Sequence, residues 1–515
     1  MAKKGCLEVV NKCSKQIFCT VLSVIIMTVL SGCSFTNKKK TVKLTWWIDS
    51  FPHVKKVSER FEDNPFYKEL MKRNNVEIEF IHPNNGMDLE SLNAMDKLPD
   101  IIEGNFYNYP GGPQKAIEDG IIISLDPYLE EYSPDYYNIL KNNTEWDREV
   151  TTNDGTHYIY AWLRGDESLL YWNGPIVRKD LLNALGLKIP VTVAEWESML
   201  GTFKANGVRY PLSGTSEQIF GCSFMSAFGI GEGFYENGGK VKYAPAEKEY
   251  RAFLSTMKKW YDNGWIDKEF YTQNEEVLNY KIKKGEVGAF VGSAGGTMGN
   301  CIPELSKIGG ILTGVSIPVL NDGDEIFQST RDSYYQPITS VSISADCEYP
   351  ELVAEFLNYG YTEEGHMLYN FGIENISYVM EDGYPRYTEL ITNNPDGLTM
   401  QYAMSQYMAS AYGGPFVQDK REYEQYLIYP EQKEAVNVWS KAKNTHKLPI
   451  EVNGDNLRAD EDIINDHSVK ESIKFILGER DLSEFDSFVE ELKLLGCETV
   501  IKAKEEALQQ YYKKN

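Results

Sequence analysis

Residues 178–207 read RKDLLNALGLKIPVTVAEWESMLGTFKANG and specify the end of a strand followed by a helix. Thr192 and Glu195 have the spacing of a capping box, in which both side chains bond backbone N–H groups at a helix start. Gly207 stands where a helix is expected to end. The apolar residues between these signals recur with the period of a helix that buries one face: Trp196, Met199, Leu200 and Phe203. The segment therefore predicts an amphipathic helix packed against a sheet.

Residues 42–105 alternate between strand and helix patterns. Strands are expected at 42–48, 76–81 and 99–105, with helical segments at 54–74 and 88–96 between them. Short connections of this βαβαβ kind predict a parallel sheet with right-handed crossovers. Ligands of such sheets bind beyond the carboxyl ends of the strands.

Composition limits the function classes. The chain has 515 residues and a formal net charge of −24, and it has no long basic stretch that would attract nucleic acid. Its 34 tyrosines and 9 tryptophans must fill cores or line a binding surface. The glycine-rich SAGGTMGN at 293–300 lacks the lysine and the spacing of a phosphate loop. NDGDE at 321–325 has the pattern of a turn and lacks the further ligands and closing glutamate of a calcium loop. We expect no catalytic residues, no cofactor and no metal.

The amino terminus has the pattern of an exported, lipid-anchored protein. Lysines precede an uncharged apolar run at 17–30, which is too short to span a membrane comfortably. The run ends in LSGC at 30–33, which resembles the lipobox of bacterial lipoproteins, where the cut falls before the cysteine. We expect a signal peptide at 1–32, and lipidated Cys33 with a flexible tether at 33–40. An uncleaved anchor or a chance cysteine is the alternative. The later cysteines are scattered and are expected to be buried and unpaired.

Segments along most of residues 28–512 resemble family 1 extracellular solute-binding lipoproteins of bacterial ABC importers, in the long-chain carbohydrate-type subgroup. The order of the segments carries the resemblance more than any one of them. They are LPDIIEGN (98–105), GIIISLDPYLEEYSP (120–134), the RKD segment (178–207), KWYDNGWIDKEF (259–270), KKGEVGAFVG (283–292) and EFLNYGYTEEGHMLYNFGIENISYVMEDGYPRYT (355–388).

The resemblance implies an α/β, two-lobed fold like that of periplasmic binding proteins, with a mixed or parallel sheet flanked by helices in each lobe and the ligand cleft between the lobes. We place the first lobe at 41–163 plus 286–333 and the second at 164–285 plus 334–515. The resemblance further implies a monomer on the outer face of the cell membrane of a Gram-positive bacterium, which presents a carbohydrate to ABC permease subunits.

Sugars present hydroxyl edges and apolar faces, so a sugar site needs aromatic platforms beside carboxylate, amide and guanidinium groups. Candidates lie where strands end or where the chain crosses between lobes. Trp47 alternates with the apolar row that contains Trp46, so we expect Trp47 in the cleft and Trp46 in the core. The predicted ligand-binding residues are Trp47, Asp49, Glu103, Asn105, Trp162, Arg164, Trp172, Arg331, Asp332, Tyr334 and Tyr335.

The sequence also allows other roles for some of these residues and other functions for the protein. Trp47 and Trp172 could belong to the core, and Glu103 and Asn105 could cap a helix or turn. At the level of function, a surface glycoside hydrolase would need two paired carboxylates, which no motif marks. A sensor or adhesion lipoprotein that binds a peptide or protein is the third class.

Overall fold

The structure is a computed structural model that describes residues 41–49, 52–83, 89–220, 223–327, 333–411, 413–442, 445–449 and 458–513. Described residues 44–74 and those from 78 onward cluster into one compact unit. Residues 41–43 and 75–77 cluster separately as a small second unit, within which the Lys43 ammonium lies 3.3 Å from the Glu77 carboxylate. Within the described residues, no helix is long and apolar enough to cross a membrane.

The strands alternate with helices along most of the chain. They are β1 (Val42–Trp47), β2 (Val76–Ile81), β3 (Ile101–Glu103), β4 (Tyr160–Arg164), β5 (Asn173–Arg178), β6 (Tyr210–Leu212), β7 (Phe234–Asn237), β8 (Lys240–Tyr243), β9 (Val287–Ser293), β10 (Leu312–Gly314), β11 (Tyr335–Ile343), β12 (Tyr378–Glu381), β13 (Tyr384–Tyr387) and β14 (Val417–Gln418).

The helices flank the sheets and supply most of the core. They are α1 (Pro52–Lys55), α2 (Pro65–Asn74), α3 (Gly112–Glu118), α4 (Asp126–Tyr132), α5 (Pro134–Lys141), α6 (Thr144–Glu149), α7 (Lys179–Leu185), α8 (Val193–Ala205), α9 (Ser216–Phe220), α10 (Ser223–Ser226), α11 (Lys248–Asp262), α12 (Glu275–Lys283), α13 (Gly299–Ser306), α14 (Pro350–Asn358), α15 (Glu363–Phe371), α16 (Glu389–Thr392), α17 (Met400–Tyr407), α18 (Lys420–Tyr426), α19 (Pro430–Trp439), α20 (Arg458–Leu477), α21 (Phe485–Leu494) and α22 (Cys497–Tyr511).

Six strands form the first sheet, in the order β14-β4-β11-β3-β1-β2. β1 runs parallel to β3, and β4 runs parallel to β14, while β11 is antiparallel to both β3 and β4. The carboxyl ends of β1, β3, β4 and β14 therefore lie at the same edge as the amino end of β11. We call this edge the carboxyl edge.

Four strands form the second sheet, in the order β10-β5-β9-β6, and both of its faces are covered. On one face Val177 and Ala289 pack in a core that includes buried residues of α8, α11 and the carboxyl-terminal helices α20–α22. On the other face Ile176 and Phe290 pack with residues of α12, α13 and α19. Neighbouring residues of β5 and β9 thus point into different cores, as the period of a strand requires.

The sheet pairing differs from the predicted division of the chain. We expected residues 286–333 in the first lobe and residues from 334 onward in the second. Instead β9 and β10 pair with β5 in the second sheet, and β11 and β14 pair with β4 in the first. Strand pairs far apart in sequence depend on long-range packing, which the local pattern does not contain.

Local predictions succeed where local signals are strong. β1, β2 and β3 fall within one to two residues of their predicted bounds. The capping box of α8 forms, with the Thr192 hydroxyl accepting from the Glu195 N–H at 3.2 Å and the Glu195 carboxylate accepting from the Thr192 N–H at 3.0 Å. The helix predicted at 54–74 is instead divided into α1, a short turn at Phe61–Asp63, and α2. The extended backbone of Asn64, which precedes Pro65, accounts for the start of α2.

Near the carboxyl terminus, Phe485 and Phe488 of α21 pack in the same core as Val177 of β5. Cys301, Cys347 and Cys497 are free thiols, and Cys301 and Cys497 are buried. Cys33 and Cys222 lie outside the described residues.

Candidate ligand-binding site

A cavity of about 300 Å³ opens beside the carboxyl edge of the six-stranded sheet. Pockets of this size and larger hold small ligands in other proteins. Its walls come from the ends of β4, β9 and β14, the short turns after β4 and β9, and helices α17 and α18. The lining residues are Arg164, Leu169, Trp172, Ser293, Gly295, Gly296, Gln401, Met404, Ser410, Ala411, Gln418, Glu422, Tyr423 and Tyr426. We call it the Arg164 cavity.

Arg164 ends β4 and is held by its neighbours in the sheet. One guanidinium nitrogen donates to Oε1 of Gln418 on β14, and another lies 3.5 Å from Oε1 of Gln336 on β11. The guanidinium carbon lies 4.7 Å from the ring centroid of Trp162, which stacks on Phe416 at 5.9 Å. The planar cation is therefore positioned by an aromatic face and by amide oxygens on both sides.

Glu422 on α18 provides a carboxyl group on the cavity wall. It accepts a hydrogen bond of 2.9 Å from Nε2 of Gln418 and is itself buried. Burial raises the pKa of Glu422 to about 7, and the Gln418 bond and the Arg164 charge oppose this rise. Arg164, Gln418 and Glu422 thus form a continuous polar chain along one side of the cavity.

Aromatic side chains form another part of the wall. Trp172 is 40% exposed, which is unusual for so large a side chain and leaves a face open to a ligand. The hydroxyl of Tyr423 is buried and has no hydrogen-bond partner within the described residues. Since nearly all buried polar atoms in proteins are paired, this hydroxyl is a candidate partner for a ligand around which the cavity closes.

The glycine-rich segment at 293–300 closes the cavity. It forms a π-helical turn at Ala294–Met298 that joins β9 to α13, with the Ser293 hydroxyl accepting from the Thr297 N–H at 2.9 Å. A side chain on Gly295 would come within 2.4 Å of the Tyr426 ring, so the glycine permits this close approach. The sequence of this segment matches no phosphate loop and so indicates no chemistry, although π-helical turns recur at functional sites.

Of the predicted binding residues, Arg164 and Trp172 line the cavity. The Trp162 ring packs against the Arg164 guanidinium. The backbone carbonyl of Tyr334 accepts a hydrogen bond of 2.7 Å from the backbone N–H of Arg164. Tyr335 is buried, and its N–H donates to Glu149 at 2.9 Å. Arg331 and Asp332 lie outside the described residues.

Trp47 is only 3% exposed, and Trp46 is buried as expected. The alternation along β1 does not separate cleft from core here, because strands inside such a sheet are covered on both faces. This placement removes the reason for expecting Trp47 as an exposed platform. Asp49, two residues later, is exposed.

Glu103 and Asn105 follow β3 at the carboxyl edge. Glu103 is buried, and burial raises its pKa well above the usual range. Asn105 caps the short turn at Phe106–Asn108, where its side chain accepts from the Tyr107 N–H at 3.1 Å. The capping role considered for Asn105 is therefore present.

Sequence reasoning missed the part of the cavity contributed by residues 401–426. These residues belong to no local motif and reach the site only because β14 pairs with β4. The described residues contain no group of three or more His, Cys, Asp or Glu side chains placed to hold a metal ion.

Comparison with known proteins decides the family. Residues 57–367, more than half of the chain, match the family model described as bacterial extracellular solute-binding protein. The chain belongs to this family. A curated member, the polygalacturonan/rhamnogalacturonan-binding protein YtcQ of Bacillus subtilis, is 23% identical over 96% of this chain and 99% of its own length.

Solved structures show the same fold. A protein of Bifidobacterium longum infantis, described as an HMO-binding solute-binding protein associated with an ABC transporter, has a TM-score of 0.73 at 16% identity, covering 92% of this chain and 99% of its own. FusA of Streptococcus pneumoniae, solved in complex with fructo-nystose, has a TM-score of 0.70 at 18% identity over 92% of this chain and 100% of its own. Both solved structures are described as solute- or substrate-binding proteins of ABC transporters.

Proposed function

We propose that this solute-binding protein captures an oligosaccharide in the Arg164 cavity and presents it to the permease of an ABC importer, without chemical turnover. The observation that carries the proposal is the wall that joins a polar chain, Arg164–Gln418–Glu422, to the exposed Trp172 and the unpaired hydroxyl of Tyr423. Sugar hydroxyls can form hydrogen bonds with the polar chain, and the C–H faces of a sugar can stack on the aromatic rings. Polysaccharide- and oligosaccharide-binding relatives support the same ligand class.

The two lobes are best divided by sheet pairing. We assign residues 44–163 and 335–418 to a first lobe built on the six-stranded sheet. Residues 173–314 and 430–513 belong to a second lobe built on the four-stranded sheet. The chain then crosses between lobes three times, at 164–172, 315–334 and 419–429. Arg164, Trp172 and Glu422 lie in two of these crossings. If the two lobes close by a hinge motion at the crossings, they would enclose a ligand bound to these side chains.

Anchoring by Cys33 would hold the protein on the outer face of the membrane as a monomer. The motivation is the basic, apolar and LSGC pattern of the first 33 residues. The variant Cys33→Ala should lose incorporation of labelled palmitate in cells and should keep its signal peptide. Unchanged labelling would show that another residue carries the lipid.

The function is tested by calorimetric titration and thermal unfolding with three probe sets: oligogalacturonides, fructooligosaccharides and mixed peptides. We expect one sugar set to raise the melting temperature, since a ligand that binds only the folded state stabilises it. The same samples should contain the intact sugar after incubation, as chromatography would show. Released shorter sugars would instead support a glycoside hydrolase, and stabilisation by peptides alone would support a peptide sensor.

A further inference from the structure

The carboxyl edge extends past the Arg164 cavity across the first sheet. Five residues lie along this edge in the spatial order of the strands β14-β4-β11-β3-β1. They are Gln418, Arg164, Gln336, Gly104 and Asp49. Strands lie about 4.8 Å apart, so the edge runs roughly 14 Å from Arg164 to Asp49. The cavity is therefore one end of a longer surface.

A bulge in β11 stands halfway along this edge. Gln336 is paired with Trp162, and Val341 is paired with Tyr160. Between these two pairs the chain advances five residues in β11 but only two in β4. The Ser340 carbonyl accepts from the Gly104 N–H at 2.9 Å, which ties the bulge to the end of β3. Bulges beside binding sites redirect side chains away from the sheet.

The bulge presents an apolar side chain to solvent. Ile338 is 61% exposed, while the next two residues, Thr339 and Ser340, are buried. Thr339 packs closely on the backbone of Gly413, because a side chain at Gly413 would come within 2.0 Å of the Thr339 hydroxyl oxygen. Gly413 also has a φ of 130°, a conformation that other residues rarely adopt. Thr339 is thus packed into the protein, while Ile338 beside it is left exposed.

Polar groups flank Ile338 on both sides along the edge. Gln336 is on the side of Arg164, while partly exposed Asn105 and exposed Asp49 are on the other. An apolar contact between hydrogen-bonding groups matches a sugar unit, which has apolar faces and hydroxyl edges.

We propose that the carboxyl edge is an extended groove for a sugar chain, in which one unit occupies the Arg164 cavity and further units pass over Ile338 toward Asp49. The inference rests on the proposed function. It adds that the ligand is a chain of several sugar units and that Ile338 favours longer chains over shorter ones. The ligand is then an oligosaccharide of several units, since a disaccharide in the cavity would leave Ile338 uncovered.

The test is calorimetric titration with a length series, from the disaccharide to the hexasaccharide, of oligogalacturonides and of fructooligosaccharides. Affinity should increase beyond the disaccharide. Ile338→Ser should weaken binding of the longer sugars roughly 5-fold and leave the disaccharide unchanged, since only longer chains cover this side chain. Ile189→Ser, at an isoleucine of similar exposure outside the edge, is the matched control and should change neither.

The outcomes separate this inference from the proposed function. Binding that does not depend on length beyond the disaccharide, or an equal effect of Ile338→Ser on all lengths, would overturn the groove and leave a sugar-binding cavity. Absence of binding to every sugar would overturn both.

Discussion

Two buried polar regions of this protein differ in how completely their groups are paired. Lys281 on α12 is 6% exposed, and its ammonium bonds Asp267 at 2.7 Å, Glu269 at 2.8 Å and Gln273 at 2.9 Å. In the Arg164 cavity, by contrast, the buried hydroxyl of Tyr423 has no partner in the described part of the chain. We interpret the first region as part of the folded framework and the second as a site completed by a ligand.

The largest expected effect comes from breaking the Lys281 cluster. Lys281→Met would leave the buried carboxylate of Asp267 without its cation, so we expect the free energy of unfolding to fall by about 3 kcal/mol. Sugar affinity should stay unchanged, because the cluster is not part of the cavity wall. Chemical denaturation and titration of the same variant measure both quantities.

A double variant gives the control for this change. Adding Asp267→Asn removes the stranded charge and should recover part of the lost stability. If Lys281→Met instead weakened sugar binding and spared stability, the two regions would have been assigned the wrong roles.

Tyr423→Phe tests the role assigned to the second region, the Arg164 cavity. Removing an unpaired buried hydroxyl should leave stability unchanged or raise it by about 1 kcal/mol. The same change should weaken sugar binding by about 10-fold, since a hydrogen bond to the ligand is lost. A drop in stability of 2 kcal/mol or more, roughly the cost of breaking a buried bond, would mean that the hydroxyl is paired within the protein.

A pH-dependent effect is expected at His157, which joins α4 to α6. Burial alone would lower its pKa, but Asp126 and Asp147, at 2.6 and 2.8 Å, raise the pKa of His157 to about 9. The ordinary value is 6.5, so this stabilisation is fully present below about pH 6.5 and is lost as the pH rises through about 9.

His157→Gln should therefore reduce stability by about 2 kcal/mol at pH 6, with allowance for the exposure of Asp126, and by little at pH 10. Denaturation curves at several pH values measure the difference. A constant difference from pH 6 to pH 10 would show that the imidazole acts as a neutral hydrogen-bonding group.

The same contrast explains how much the sequence could predict. Signals contained within a few residues, such as the Thr192 capping box and the strand pattern at 76–81, predicted their elements well. The division between lobes and the wall at 401–426 depended on pairing of β11 and β14 with β4, which no local pattern records. Trp47 was misplaced because a two-residue period identifies opposite faces of a strand but not whether helices cover both.

Arg164 and Trp172 line the cavity, and the sequence proposed them as binding residues because they lie at or just after a predicted crossing between lobes. Tyr423 and Ile338 were missed because nothing in a sequence distinguishes an unpaired tyrosine or a bulged isoleucine from its many counterparts. Unpaired atoms and bulges are properties of packing.

The central claim is that a sugar stacks on Trp172 in the Arg164 cavity, and titration of Trp172→Ala tests it most directly. Loss of roughly 60–100 Å² of apolar contact should weaken binding about 10- to 70-fold for the sugar that best stabilises the wild type. The melting temperature without ligand should change little, because this side chain is 40% exposed. Tyr280→Ala, at an aromatic side chain that is 61% exposed on α12, should bind normally. Affinity of Trp172→Ala equal to that of the wild type would contradict the assignment of the site.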